Sequence, residues 1–338
     1  MIVISVTNFD KRHIEKMKEA GLEYYYANNE GIDPHGVETS DEFNQAIYNL
    51  PEAVKSKAQI IIWDCFHITQ RLIRECPKVK WVQHPGAGVN TGDFWTNWEM
   101  LKENHITVTT AKVHAIPISE MIVTYMLDLS KHMPLFYKRK GEKIYHDEVD
   151  ISAQIMNKRS ALIVGTGNIG SELARKLKLG FDMYVVGVNT DGRKLDYFDE
   201  MYTLKDLDKI ISNFDYVVCT SVLVEGTKHM INAKRLKLMK NTAFLINASR
   251  GGLIVEGELI EALKRGEIAA AAIDCFEIEP LPKASELWNL ENVIITPHMS
   301  GGRPDNKDVI LEKFLSNLPH FKKGEISKMS EVANIKKY

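Results

Sequence analysis

The sequence predicts an α/β protein of two domains, each built on a parallel, doubly wound sheet. Three observations carry that expectation. Short β-branched apolar runs alternate with segments of helical spacing along the chain. The glycine run Gly165-Thr166-Gly167-Asn168-Ile169-Gly170 lies between one such strand and one such helix. A stretch of domain size precedes that run, although a motif of this kind normally opens its domain. The 338 residues suffice for two ordinary domains.

The first 110 residues show their own alternation. Ile2–Val6 reads as a strand, and Ile14 with Met17 marks a helix that stops near Gly21. Tyr24–Tyr26 and Ile60–Trp63 read as strands. Thr69 caps a short helix through Leu72 and Ile73 that ends before Pro77. Trp81–Gln83 and Ile106–Val108 are further strands. A long helix follows, with Pro117 in its first turn and Ile118, Met121, Ile122, Tyr125, Met126 and Leu129 on one wide apolar face. That face suits domain core and contact with a second subunit equally well.

Ala161–Val164 is the strand before the glycine run, and Leu173, Ala174 and Leu177 mark the helix after it, up to Gly180. Tyr184–Val188 is a strand and Leu204–Ile211 a helix. Tyr216–Cys219 and Ala243–Ile246 are strands, followed by the helix Leu259–Lys264. Ala270–Ile273 and Val293–Ile295 are the last strands, and a helix spans about Asp305 to Phe321.

Composition narrows the function. Apolar residues make up 44 % and charged residues 26 %, with a net charge of −2, so nothing supplies the basic footprint of a nucleic-acid binder. The Lys-rich segments, Lys234 to Lys240 and Lys336-Lys337, read as solvated faces. No apolar run reaches the length of a membrane span, and the N-terminus reads as a first strand, not a signal peptide. Of Cys65, Cys76, Cys219 and Cys275, none forms a C-x-x-C pair. That argues against a zinc or redox motif, and no metal is expected. Three of them lie in or beside apolar stretches, as buried thiols do in a reducing compartment, and the cytoplasm is the expected location.

The glycine run reads as a dinucleotide site. Gly165 permits the tight turn, Gly167 lets backbone N–H groups approach a pyrophosphate, and Gly170 lets helix and strand pack closely. The helix N-terminus then faces the phosphates. In an open parallel sheet ligands sit beyond the carboxyl ends of the strands, so polar residues there are the candidates for chemistry. Arg250 follows Ala243–Ile246, Glu279 follows Ala270–Ile273, and His298 follows Val293–Ile295. The set suits redox at the carbonyl of a 2-keto acid. Arg matches a carboxylate in two bonds, His is the usual general acid or base, and a carboxylate against its other nitrogen fixes the tautomer.

Six segments together resemble the D-isomer-specific 2-hydroxyacid dehydrogenase family. They are WVQHPGAGVN at 81–90, HAIPISEMIV at 114–123, GTGNIG at 165–170, INASRGGLIVEGELIEAL at 246–263, AAIDCFEIEPLP at 271–282 and NVIITPHMSGG at 292–302. The resemblance implies two Rossmann-like domains, the NAD(P)-binding one (113–302) inserted into a discontinuous, flavodoxin-like substrate-binding domain (1–112 and 303–338). It implies Arg250 as substrate anchor, Glu279 as partner of the histidine, and His298 as acid/base. It also implies a carboxylate-binding loop at Ala87-Gly88-Val89, with Asp274 holding the nicotinamide carboxamide. Gly165, Gly167, Asn168, Ile169, Gly170, Asn189, Thr190, Arg193, Thr227, Ala248 and Asp274 are the expected cofactor contacts. A homodimer is implied, with the Pro117–Leu129 helix near the interface.

Two departures from the family pattern bear on the cofactor. NAD-preferring members usually end the second nucleotide-domain strand on an acidic residue, and here that place is Asn189. Arg193 is placed to meet a 2′-phosphate, so the expectation between NAD(H) and NADP(H) leans to NADP(H), against which Asp191 stands nearby. Val222-Leu223-Val224 replaces the family's Pro-Leu-Thr. The expected activity is reduction of a small 2-keto acid, or oxidation of the D-2-hydroxy acid. Phosphite is disfavoured because the Ala87-Gly88 loop has no lysine, and formate because Glu279 stands in place of a glutamine. A phosphoglycerate dehydrogenase-type enzyme and a dinucleotide-sensing, corepressor-like binding protein stay open as alternatives.

Overall fold

The computed structural model describes residues 1–27, 50–62, 70–84, 101–145 and 154–333. They fall into two compact units, Met1–Val113 with Arg303–Tyr338, and His114–Gly302 inserted between those segments. Each unit holds one sheet in which every strand pair is parallel. Among the described residues, no helix is long and apolar enough to cross a membrane.

In the first unit the strands are β1 (Ile2–Ser5), β2 (Glu23–Tyr26), β3 (Ala58–Ile62), β4 (Trp81–His84) and β5 (Thr107–Thr110), in the spatial order β2-β1-β3-β4-β5. This is the flavodoxin-like order. Both faces are covered, so the strands are apolar on both sides. Ile4, Ile61, Val82 and Val108 fill one core, and Val3, Ile60, Ile62 and Trp81 the other. The helices are α1 (Lys11–Glu19), α2 (Glu52–Lys55), α3 (Gln70–Glu75) and the C-terminal helix Asn306–Lys322. Asp10 caps α1 by accepting from the His13 N–H at 3.1 Å. Phe314 of the C-terminal helix stacks on Trp81 with ring centroids 4.8 Å apart. The helix expected behind Thr69 is present as α3, but Thr69, Trp63 and Cys65 lie outside the described residues, as do Ala87, Gly88 and Val89.

The second unit opens with α4 (Ala115–Ser130) and α5 (Met133–Glu142). Then follow β6 (Ser160–Val164), α6 (Asn168–Phe181), β7 (Tyr184–Asn189), β8 (Glu200–Thr203) and α7 (Leu207–Ile210). The remainder is β9 (Tyr216–Cys219), α8 (Ala233–Leu238), β10 (Phe244–Asn247), α9 (Glu256–Lys264), β11 (Ala270–Ile273) and β12 (Val293–Ile295). The spatial order is β12-β11-β10-β9-β6-β7-β8. The chain steps from β6 to β7 and β8, then returns to β9 on the other side of β6. The carboxyl ends of β6 and β9 therefore flank the topological switch point, where this sheet type binds its ligands. Strand residues alternate between two cores. Leu162, Val164, Val217 and Leu245 face one, and Ala161, Ile163, Val218 and Ile246 the other, where Ile122, Tyr125 and Met126 of α4 pack.

One expectation is corrected. The segment Leu204–Ile211 is not one helix, because α7 supplies only four α-helical residues between 3₁₀ turns at Leu204–Asp206 and Ile211–Asn213. Asp206 accepts from the hydroxyl and N–H of Thr203 and winds the first turn tightly. Lys234 and Lys237 in the Lys234 to Lys240 segment are exposed, as a solvated face requires, and ion pairs tie the segment to its neighbours. Lys234 and Arg235 pair with Asp208 at 2.5 and 2.6 Å, and Lys240 pairs with Asp215 at 2.8 Å.

Candidate active site

The glycine run forms the turn between β6 and α6. Gly165 has a left-handed backbone (φ 104°), and a Cβ there would strike the main chain at Ser221. A Cβ on Gly170 would fall on the Gly165 carbonyl oxygen, so only glycine lets α6 start this close to the strand. Gly167 is the N-cap of α6. A glycine cap supplies no side-chain acceptor, which leaves the first-turn N–H groups, including those of Asn168 and Ile169, for a ligand. A Cβ on Gly167 would meet nothing within 4 Å. The loop after β9 clasps this turn: Thr220 Oγ1 donates to the Gly165 carbonyl at 2.6 Å and Ser221 Oγ to Val164 at 3.1 Å.

Asn189 ends β7, with its side chain committed to the following loop. Its Oδ1 accepts from the N–H groups of Asp191 and Gly192 at 3.2 and 2.6 Å, and its Nδ2 donates to the Arg193 carbonyl at 3.2 Å. Thr190 is exposed. The Arg193 guanidinium pairs with Asp191 at 3.1 Å in the open. The Arg193 N–H and guanidinium hold the Asp191 carboxyl below its ordinary range. Thr227 uses its hydroxyl within its own loop, donating to Val222 at 2.6 Å and accepting from the Val224 N–H at 2.9 Å. Ala248 is buried, so only its backbone can meet a ligand.

The loop after β10 carries Arg250. Asn247 Nδ2 donates to the Arg250 carbonyl at 2.9 Å, and Ser249 Oγ donates to the Ser221 carbonyl at 2.6 Å. A Cβ on Gly251 would overlap the Phe276 carbonyl, which ties this loop to the one after β11. Arg250 is half-buried, and one of its nitrogens donates to the Ser249 carbonyl at 2.7 Å. The rest of the guanidinium fork has no protein partner among the described residues.

Asp274 follows β11 and is 1 % exposed. Its carboxylate accepts from Thr296 Oγ1 at 2.6 Å, the Met299 N–H at 3.0 Å and the Ser300 N–H at 3.1 Å. A carboxylate has about four acceptor sites, so one is left for a ligand amide. Behind this cluster stands Tyr125 of α4, its hydroxyl 2.5 Å from Thr296 Oγ1 and 3.0 Å from Ser300 Oγ. Burial raises the Tyr125 phenol above its ordinary range. Sequence reasoning placed Tyr125 only on an apolar helix face. Its hydroxyl was the available signal, since a buried Tyr O–H normally finds a partner.

His298 follows β12, with a left-handed backbone (φ 51°). Its N–H donates to the carbonyls of Asp274 at 2.9 Å and Thr296 at 3.0 Å, so the strain is held by two main-chain bonds. His298 Nδ1 lies 2.8 Å from Glu279 Oε2, and the other oxygen of Glu279 accepts from the Phe276 N–H at 2.9 Å. Burial pushes the Glu279 carboxyl up, but the hydrogen bonds from His298 and Phe276 outweigh it and leave the group below its ordinary range. Glu279 is therefore ionised at neutral pH. His298 Nε2 has no partner among the described residues. Cys275, which the sequence marks only as a buried thiol, also lies here, and burial holds it protonated.

The structure thus gathers Arg250, Asp274, Glu279 and His298 along neighbouring strand ends of one sheet. Residues 123–300 match the model of the D-isomer specific 2-hydroxyacid dehydrogenase, NAD binding domain. A glyoxylate reductase of Pyrococcus furiosus is 35 % identical over 285 residues, covering 82 % of this chain and 83 % of that one. The chain belongs to the D-isomer specific 2-hydroxyacid dehydrogenase family. A D-2-hydroxyacid dehydrogenase (NAD(+)) of Clostridioides difficile is 33 % identical over 242 residues, covering 65 % of this dehydrogenase and 69 % of the relative. The solved structure of a family protein from Aeromonas salmonicida superposes with a TM-score of 0.76, covering 98 % of both chains at 27 % identity. This dehydrogenase is accordingly an oxidoreductase that acts on a CH–OH group with a nicotinamide dinucleotide. The glycine cradle and the glycine-capped α6 fit that cofactor's pyrophosphate.

Proposed function

We propose that the protein interconverts a small 2-keto acid and its D-2-hydroxy acid, with His298 as acid/base. The observation that carries this reading is the His298–Glu279 pair at 2.8 Å. Glu279 holds the Nδ1 proton, which leaves Nε2 to exchange a proton with the substrate oxygen. Arg250 supplies a planar cation for the substrate carboxylate. Asp274, braced by Thr296, Met299 and Ser300, orients the carboxamide of the nicotinamide. When bound, the nicotinamide supplies or accepts the hydride. Ala87, Gly88 and Val89 give backbone N–H groups to the substrate carboxylate, and the unit they belong to, Met1–Val113 with Arg303–Tyr338, is the substrate-binding domain.

The lean to NADP(H) is kept. The end of β7 carries no carboxylate, and the nearby Asp191 is already paired by Arg193. We also propose a cytoplasmic homodimer that joins through α4 and α6. Ile116 and Leu179 are exposed there, beside a shallow groove lined by Val123, Thr124, Leu179 and Phe181. Light scattering that gives a monomer mass would refute the dimer.

The deciding test follows nicotinamide absorbance with glyoxylate, hydroxypyruvate, pyruvate and 2-ketoisocaproate, each with NADPH and NADH. His298→Ala is expected to lower kcat by about 10²–10⁴-fold. An unchanged kcat in that variant rejects the assignment, and a higher kcat/KM with NADH rejects the cofactor lean. Tight cofactor binding without turnover on any acid points to the sensor reading.

A further inference from the structure

Beside the His298–Glu279 pair lies a thiol that neither dinucleotide binding nor proton transfer requires. Cys275 directly follows Asp274 and is 2 % exposed. Its Sγ donates to the Ser249 carbonyl at 3.3 Å, so it points into the ring of loops at the carboxyl edge of the sheet. The Cys275 sulfur, a Glu279 oxygen and a His298 ring nitrogen all lie within 4.8 Å of one another. One sulfur, one imidazole and one carboxylate form a donor set that suits Zn²⁺, whereas Mg²⁺ and Ca²⁺ prefer oxygen.

The spacing is close to what such an ion needs. Zinc bonds of about 2.0–2.3 Å place tetrahedral neighbours roughly 3.3–3.6 Å apart. The His298–Glu279 edge, at 2.8 Å, must open slightly, and the edges to sulfur must not exceed 4.8 Å before they close. Glu279 and His298 are 37 and 42 % exposed in their side chains, so small rotations meet little packing resistance.

We propose that Cys275, Glu279 and His298 form a three-ligand site for Zn²⁺ or a similarly thiophilic divalent cation, and that filling it silences turnover. Three protein ligands leave the fourth tetrahedral position to water or to an oxygen of a small acid. On binding, the Cys275 S–H bond breaks, its proton leaves to solvent, and a metal–sulfur bond replaces the thiol's hydrogen bond to Ser249. The cation takes a lone pair of the imidazole and one of the carboxylate that orients it. The Nδ1 proton shifts to Nε2 as the cation takes its place, and the metal-bound ring then has no free lone pair with which to accept a second proton, so His298 cannot cycle between base and acid. The silencing half of the proposal rests on the acid/base role proposed above, and the binding half does not.

The test titrates Co²⁺ into the chelator-treated full-length protein, following the near-ultraviolet thiolate-to-cobalt band, and then displaces it with Zn²⁺. Turnover under Zn²⁺ is read in parallel, each protein against its own metal-free rate. Expected are a thiolate band that saturates at one equivalent, its loss in Cys275→Val, and zinc inhibition weakened in that variant. The weakening should be at least the roughly 10–100-fold that loss of an outer-sphere partner costs. Absence of the band from the parent protein overturns the site, as does its persistence in Cys275→Val. Equal zinc inhibition of parent and Cys275→Val overturns the assignment of the sulfur. A saturated band with undiminished turnover leaves the binding half standing and overturns both the silencing and the role given to His298.

Discussion

Replacing Tyr125 by phenylalanine tests whether the buried polar cluster behind Asp274 is a structural brace. The ring stays and only the hydroxyl goes, so no cavity opens. The loss removes the contacts at 2.5 Å to Thr296 and 3.0 Å to Ser300. Thr296 still donates to Asp274 at 2.6 Å. The Ser300 hydroxyl, on a residue only 2 % exposed, loses its hydrogen bond to Tyr125. Two neutral hydrogen bonds at about 0.5–1.5 kcal/mol each, one of them leaving a stranded hydroxyl, set the expected loss at about 1–3 kcal/mol. For a unit of this size, that lowers the melting temperature by on the order of 5 °C. Urea unfolding followed by circular dichroism measures it, with an unchanged m-value showing that only stability moved. A Thr296→Val and Tyr125→Phe double-mutant cycle then isolates the coupling. A Tyr125→Phe protein within about 0.5 kcal/mol of the parent would refute the brace, because Thr296 and Ser300 would then satisfy each other unaided.

Glu279→Gln keeps the shape of its partner but not its charge, and is expected to lower kcat by roughly 10–100-fold, as loss of a half-exposed charged hydrogen bond implies; steady-state kinetics with the preferred acid reads it. Gly170→Ala should weaken dinucleotide binding sharply, because its Cβ would fall on the Gly165 carbonyl; equilibrium titration of cofactor fluorescence reports the loss. Asp215 accepts from the Ser160 N–H and hydroxyl at 2.9 and 2.8 Å and pairs with Lys240 at 2.8 Å. Burial alone would raise its carboxyl, but these partners win and hold it below the ordinary carboxylate range. Its contribution to stability is therefore present at neutral pH and is lost as pH falls below about 4 and through the folded value. Asp215→Asn should flatten that acid limb in melting curves taken from pH 6 to pH 2.5, and an identical limb in both proteins would contradict the assignment.

The parallel strands were readable because both of their faces are buried. Ile60–Ile62, Ala161–Val164 and Tyr216–Cys219 announce themselves as unbroken β-branched or apolar runs. β8 was not found, since Glu200–Thr203 is an edge strand of mixed polarity that has a neighbour on one side only. α5 and α8 escaped for a related reason. Each buries a single residue, Arg139 in one and Leu236 in the other, too little to print a helical period. The candidate site was readable wherever chemistry falls at a strand end, as with Arg250, Asp274, Glu279 and His298. Partners that arrive from elsewhere in the chain were not. Tyr125 reaches Thr296 across 171 positions, and no local pattern records that meeting.

The left-handed backbone at His298 restricts more than the geometry of one hydrogen bond. Glycine enters that region freely, Asn, Asp and His do so several-fold more readily than other residues, and β-branched side chains scarcely at all. Position 298 is thus filtered twice, once by main-chain shape and once by chemistry, and the two filters share few members. Random variation there explores a short alphabet, and histidine is the one letter in it whose ring can give and take a proton near neutrality. Asparagine, which the backbone accepts, is accordingly the cleaner control for lost chemistry than alanine, whose substitution also alters the strain of the turn.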